Sequence, residues 1–282
     1  MNIDVFTFVT GSVSDYAEYL KYTCDINLSG KHKINWKCIQ SLDVTSIPNG
    51  YQCVGKSGGQ EEHNSMKHAL AMHEALKHIE SEYVLFVDVD VAVLYKGWDD
   101  VIVQNLNNFD CFGGAHAKSK SRYCRTRYKK FPKVNFFSFR KDVLKKVQLD
   151  FKPFNEEDFF GEVTKENSEF LNMEVGAKIA YDVGWKLPII FKENGLTYNY
   201  MPCFPMDSQN SKLPYLNKEH KKFCYKKTFT MEEWHYNKDL FATHQKHARH
   251  HSLNDPFGIA WKTRVDLYLN RGEWYEKEKI AL

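Results

Sequence analysis

The chain of 282 residues holds seven cysteines, an odd number, scattered at Cys24, Cys38, Cys53, Cys111, Cys124, Cys203 and Cys224 with no C-x-x-C pair. That spacing excludes a zinc knuckle and a full disulfide framework, and it reads as free thiols in a reducing compartment. Uninterrupted apolar runs are short. None approaches the roughly 18 residues that would suggest a membrane span. Met1 to Thr10 has no basic segment followed by an apolar one, so no signal peptide is expected and the cytoplasm is the expected location. Internal repeats and low-complexity tracts are absent. Charge of one sign is not in excess either. With 39 Lys and Arg against 36 Asp and Glu, the formal net charge of +3 argues neither for nor against an anionic partner.

What is present is the balance of a folded globular chain, 43% hydrophobic and 27% charged. The length suits one large α/β domain, or one domain with an elaborated tail. Asp4 to Thr10 is a short β-branched and aromatic run ending at Gly11, which predicts a first strand. Ser14 to Thr23 has helical spacing, with Tyr16, Leu20 and Cys24 on related faces. Trp36 to Val44 predicts a second strand, stopped by Pro48, Asn49 and Gly50. A Gly- and Ser-rich loop, 55–60, leads to a helical pattern from His63 to Ile79 with Ala69, Met72, Leu76 and Ile79 on its buried face. Tyr83 to Val87 is a continuous apolar run. Strand, helix, then fully buried strand is the pattern of a parallel sheet. Val101 to Leu106 predicts a helix, Phe109 to Phe112 a strand, and Trp185 to Asn194 a helix with Pro188 in its first turn and Gly195 at its end. Beyond these a polar tail is expected.

The chemistry is expected where the buried strand stops, in the run Val87-Asp88-Val89-Asp90-Val91. Open α/β sheets bind ligands beyond the carboxyl ends of their strands. Two acids at i and i+2 there offer hard oxygen ligands to Mg²⁺ or Mn²⁺, whose shell substrate phosphates complete. A bare D-x-D also occurs in solvated turns. Its place after five uninterrupted apolar residues is what selects the metal reading. Upstream, Ser65-Met66-Lys67-His68-Ala69-Leu70-Ala71 opens the helix before that strand.

The stretch from Asn64 to Leu94 resembles GT-A glycosyltransferases, many of which carry S-x-x-H-[AG]-x-A before the D-x-D strand. The resemblance is looser over residues 3–44 and only suggestive beyond 135. It implies an α/β fold of GT-A (Rossmann-like) type, a mostly parallel sheet flanked by helices, with a C-terminal polar extension. Residues 1–112 would form the nucleotide-sugar-binding half, 113–200 the acceptor-side half of the same domain, and 201–282 an extension closing the active site. It implies a nucleotide-sugar donor such as UDP-glucose, held by Thr10, Gly11, Ser65, His68, Asp88 and Asp90, with Asp88 and Asp90 on the metal. The first strand's end, Thr7 to Gly11, would meet the base and ribose. Ser65 also fits a helix N-cap, and His68 a half-buried helix residue.

An inverting transferase needs a carboxylate to take the acceptor's proton. Asp182 and Glu174 each stand two residues before a Gly, and Asp182, the first choice, also fits a helix N-cap. Glu156, Glu157 and Asp158 read as solvated surface. His244, His247, His250 and His251 crowd one segment. GT-A enzymes often draw a further metal ligand from a C-terminal His, and His244, after Leu240-Phe241-Ala242, is the candidate. Zinc is disfavoured because no nearby Cys completes the set.

The acceptor reading rests on Lys118, Lys120, Arg122, Arg125, Arg127, Lys129, Lys130 and Lys133, a segment without an acid and interleaved with Tyr123, Tyr128 and Phe131. Lys212, Lys218, Lys221, Lys222, Lys226 and Lys227 form a second basic stretch. Cations with aromatics suit a nucleic-acid backbone with stacked bases, although charge runs also serve as solvated loops. The arrangement is similar to virus-encoded GT-A enzymes that glycosylate hydroxymethylated pyrimidines in DNA, acting in a host cytoplasm. A glycan or surface-polysaccharide transferase is the competing reading. A non-catalytic nucleotide- or nucleic-acid-binding module is the alternative of another class.

Overall fold

A computed structural model describes residues 1–10, 13–42, 44, 46–58, 64–116, 130–153, 160–169, 171, 174–205, 212–213, 231–245 and 252–270. Its centre is a seven-stranded sheet in the order β10-β6-β7-β4-β1-β2-β3. These strands are β1 (Asn2–Val9), β2 (Lys33–Ser41), β3 (Gln52–Ser57), β4 (Tyr83–Val87), β6 (Cys111–Ala115), β7 (Pro132–Arg140) and β10 (Tyr198–Met201). All neighbours run parallel except β7, which is antiparallel to both β4 and β6. The architecture is therefore α/β with a mostly parallel sheet flanked by helices, as the sequence pattern implies.

Strand alternation divides the core into two layers. From β1 and β4, Ile3, Val5, Tyr83, Leu85 and Val87 face one layer, with helices α1 (Ser14–Ile26) and α3 (Trp98–Leu106). Phe6, Phe8, Val84 and Phe86 face the other, with α2 (Asn64–Leu76) and α6 (Leu187–Glu193). Every residue of β4 is buried, because a central strand covered on both faces has no solvent side. Two short helices, α4 (Val143–Lys146) and α5 (Lys165–Ser168), and a hairpin of β8 (Phe160–Glu162) with β9 (Lys178–Ala180) complete the middle of the chain.

A second sheet has the order β11-β12-β13-β5, and three of its four strands lie where the sequence predicts a polar tail. It joins β5 (Val91–Val93) to β11 (Cys203–Pro205), β12 (Met231–Tyr236) and β13 (Asp239–Gln245). Asn237 and Lys238 link β12 to β13 with φ of 50° and 72°, the left-handed pair that a tight two-residue hairpin turn requires. The tail is not polar in its described part. Trp234, Phe241 and Ala242 are wholly buried, and so are Trp261 and Val265 of the last described helix, α7 (Pro256–Leu269). That helix begins at Asp255, whose carboxylate accepts from the amides of Phe257 and Gly258, both at 2.9 Å.

Candidate active site

Asp88 and Asp90 leave the carboxyl end of β4, in the turn that leads into β5. The turn is tied on both sides. The amide of Asp88 donates to the carbonyl of Asn135 at 3.0 Å, and the amide of Gln245 donates to the carbonyl of Asp90 at 2.9 Å. The first bond comes from β7 and the second from the end of β13, which pairs with β5 through His244↔Val91. The hairpin thus delivers His244 to the D-x-D turn. Nε2 of His244 lies 3.2 Å from Oδ1 of Asp90. One ligand atom from each of Asp88, Asp90 and His244 falls within 4.8 Å of the others. Two carboxylates and one imidazole in that space are a donor set that could hold Mn²⁺ or Mg²⁺.

Helix α2 supplies the adjoining wall. Ser65 and His68 are one turn apart and share a face. Nε2 of His68 lies 3.3 Å from Oδ1 of Asp88, near enough for charge attraction without the alignment of a hydrogen bond. The Ser65 hydroxyl donates to Oδ1 of Asp182 at 3.3 Å, and the same oxygen accepts from the amide of Val183 at 2.9 Å. Ser65, His68, Asp88, Asp90, Asp182 and His244 are therefore one contiguous cluster. Asp182 is not a helix cap, since α6 is capped at Lys186.

The electrostatics follow from this crowding. Burial alone would raise the Asp88 carboxyl. The charges of His68 and His244, with the hydrogen bond from the Asn135 side-chain amide, outweigh it and hold the carboxyl at about 2. Burial likewise works against protonated His68 and His244, but the facing carboxylates win and both are raised, His68 by Asp88 and His244 by Asp90. A cation and a proton would compete for His244. Thr7, wholly buried on β1, has a hydroxyl with no hydrogen-bond partner. An orphaned polar atom at this end of the sheet fits a polar ligand.

Other sequence expectations fare differently. Thr10 lies just beyond β1, half-buried, and Gly11 falls outside the described residues. Glu174 is exposed in the turn closed by the bond from the Ala177 amide to its carbonyl, and no described contact joins it to the cluster. Lys118, Lys120, Arg122, Arg125, Arg127 and Lys129 lie outside the described residues, as do Glu156, Glu157, Asp158, His247, His250 and His251. Of the second basic stretch only Lys212 is described. Lys130 is exposed, but Lys133 departs from the expectation of a phosphate-gripping residue. It is 2% exposed and ion-paired with Glu232. Three participants escaped the sequence reading: Asn135, Glu232 and Gln245. Asn135 and Lys133 alternate on β7, a pattern present in Pro132–Arg140 but masked by the charges before it.

No protein-family model matches the chain, and no curated protein matches it. Its shape is similar in part to several solved structures. One is a mannosyltransferase from Pyrobaculum calidifontis in complex with GDP-Man and Mn²⁺, at 13% identity over 53% of this chain and 47% of that one, TM-score 0.37. Another is TarS of S. aureus, at 15% identity over 54% and 50%, TM-score 0.36. A third is the glycosyltransferase GlyE of Streptococcus pneumoniae, at 12% identity over 70% and 44%, TM-score 0.38. The chain spans about half the length of each of these. Likenesses so distant leave the function to be read from the chain's own side chains.

Proposed function

We propose that the chain is a metal-dependent glycosyltransferase that takes a sugar from a nucleotide-sugar donor. One observation carries the reading. Asp88 and Asp90 at the end of β4 meet His244 from a distant hairpin within 4.8 Å, beside the Ser65–Asp182 pair. Asp88, Asp90 and His244 would hold Mn²⁺ or Mg²⁺, which would neutralise the leaving diphosphate as a Lewis acid. Asn135 and His68 fix the orientation of Asp88. The start of α2 faces the donor's anionic groups, as a helix N-terminus favours. Asp182, oriented by Ser65, takes the proton of the acceptor hydroxyl as its oxygen bonds to the anomeric carbon and the sugar–phosphate bond breaks. Glu174 is the lesser candidate for that proton.

For the acceptor, the reading of a hydroxymethylated pyrimidine in DNA rests on the basic residues from Lys118 to Lys130 as sequence. A glycan hydroxyl is served equally well by the same cluster. Calorimetry of UDP and GDP with Mn²⁺ tests the core of the proposal. The wild type should bind one of them only with metal, and Asp88→Ala and Asp90→Ala should not. Equal binding by both variants, or none by the wild type, overturns it. Mn²⁺-dependent hydrolysis of the donor separates an enzyme from a binding module. Nucleoside mass spectrometry after incubation with hydroxymethylated DNA and a nucleotide-sugar panel separates the two acceptors.

A further inference from the structure

Beneath the metal-binding candidates lies a charged group that the chemistry above does not use. Lys133 of β7 and Glu232 of β12 form an ion pair with side chains only 2% and 3% exposed. Burying two charges costs several kcal/mol per ion before their attraction offsets it, so a pair in this position needs a reason. Its surroundings supply one. Glu232 is the direct cross-strand partner of His244. Its Oε2 lies 3.5 Å from Nδ1 of His244, and Nζ of Lys133 lies 3.3 Å from the same nitrogen. Trp234, two residues beyond Glu232 and on the same face of the strand, stacks on the imidazole with centroids 5.7 Å apart and planes 10° apart. Lys133 in turn sits 4.8 Å over the Trp234 ring.

The imidazole is thus held in plane by Trp234 and offered two partners at Nδ1, an ammonium that donates and a carboxylate that accepts. The two select opposite tautomers. Accepting from Lys133 would place the ring proton on Nε2, toward Asp90, and close that nitrogen to a cation. Donating to Glu232 leaves the Nε2 lone pair open. We infer that Glu232 is the positioning residue that selects the ligating tautomer of His244, with Lys133 neutralising its charge so that orientation is gained without a further negative charge at the cluster. Partners of this kind on a ligating His are worth about 10–100-fold in metal affinity. The inference rests on the metal reading proposed above.

The test is Mn²⁺ binding to the full chain without nucleotide, by calorimetry and electron paramagnetic resonance, alongside thermal melting. The double variant Glu232→Leu/Lys133→Met replaces the buried pair with apolar groups of similar size, a change often neutral for stability. It should melt near the wild type yet bind Mn²⁺ about 10–100-fold more weakly. Glu232→Gln, which keeps an acceptor oxygen, should retain most of the affinity. A double variant that folds and binds Mn²⁺ like the wild type overturns the inference and leaves the metal site standing. A wild type that binds no Mn²⁺ removes both. Should the double variant melt early, nitrogen-15 resonances of His244 in the Mg²⁺-loaded wild type decide. A proton on Nδ1 supports the inference, and one on Nε2 overturns it.

Discussion

Replacing Asp4 by Ala should cost about 3–5 kcal/mol of stability. Asp4 is wholly buried on β1. Its Oδ2 accepts from the amides of Glu80 at 2.7 Å and Ser81 at 2.9 Å and from Nζ of Lys37 at 3.2 Å. Its Oδ1 accepts from Asn35 at 2.9 Å and from the Ser81 hydroxyl at 2.7 Å. After Asp4→Ala, Asn35 and Ser81 can still pair at 3.2 Å, and Lys37 keeps the His78 carbonyl and Glu80. The loss falls on the two amides, each left unsatisfied at about 1–3 kcal/mol, and on an ammonium with one buried partner fewer. Against a total of about 5–15 kcal/mol that is a large share. Because Glu80 and Ser81 lead into β4, the same change loosens the register that places Asp88. Urea unfolding followed by circular dichroism measures it, with the midpoint shifted and the slope unchanged. Acid gives an independent check. Burial would raise the Asp4 carboxyl, but hydrogen bonds from Ser81, Asn35 and Glu80 outweigh it and lower it from 3.8. Its contribution is therefore full above that value and is lost as pH falls through the lowered one. The wild type should lose more stability than Asp4→Ala between neutral pH and about pH 3. Parallel losses, or a cost below about 1 kcal/mol at neutral pH, would refute the reasoning.

Asp182→Asn should keep donor binding and lose turnover by roughly two to four orders of magnitude, and near-normal turnover removes Asp182 from the mechanism. Gly113→Ala should lower the melting temperature, because a Cβ there would meet the Phe136 carbonyl oxygen at 2.1 Å. Overpacking against backbone costs about 1–3 kcal/mol, and an unchanged melt would show that the strand can shift. Replacing Arg122, Arg125 and Arg127 together by Ala should weaken DNA binding and flatten its salt dependence while sparing donor hydrolysis. If the wild type shows no salt-dependent DNA binding, the acceptor is to be sought among glycans.

Much of the site was legible because its signals are local. β4 begins and ends where its unbroken apolar run does, and Ser65 and His68 declare their shared face by spacing. Asp182 could be singled out as an acid before a glycine. Its bond to Ser65 across the fold could not. Lys133 shows the opposite case. In sequence it closes a basic run, and only a partner far along the chain, Glu232, makes burial of its charge tolerable. The β12–β13 hairpin was missed for a related reason. Glu232, Glu233 and His235 fall in the segment that predicts a polar tail, yet each is at most 5% exposed, because side-chain and backbone partners satisfy them. β5 is only three residues long, too short for a periodic signal, and it merges with the apolar residues around Asp90.

The stacking of Trp234 on His244 has an optical consequence. Trp234 has no exposed surface, and its indole lies almost parallel to the imidazole. A protonated imidazole at that range quenches indole emission, and so does a paramagnetic ion. Mn²⁺ binding should register as a change in the emission of one tryptophan among the six in the chain. The signal should vanish in Trp234→Phe and should differ between Mn²⁺ and diamagnetic Mg²⁺. Under the proposed reading, Trp234 would be a fluorescent gauge of a metal at His244.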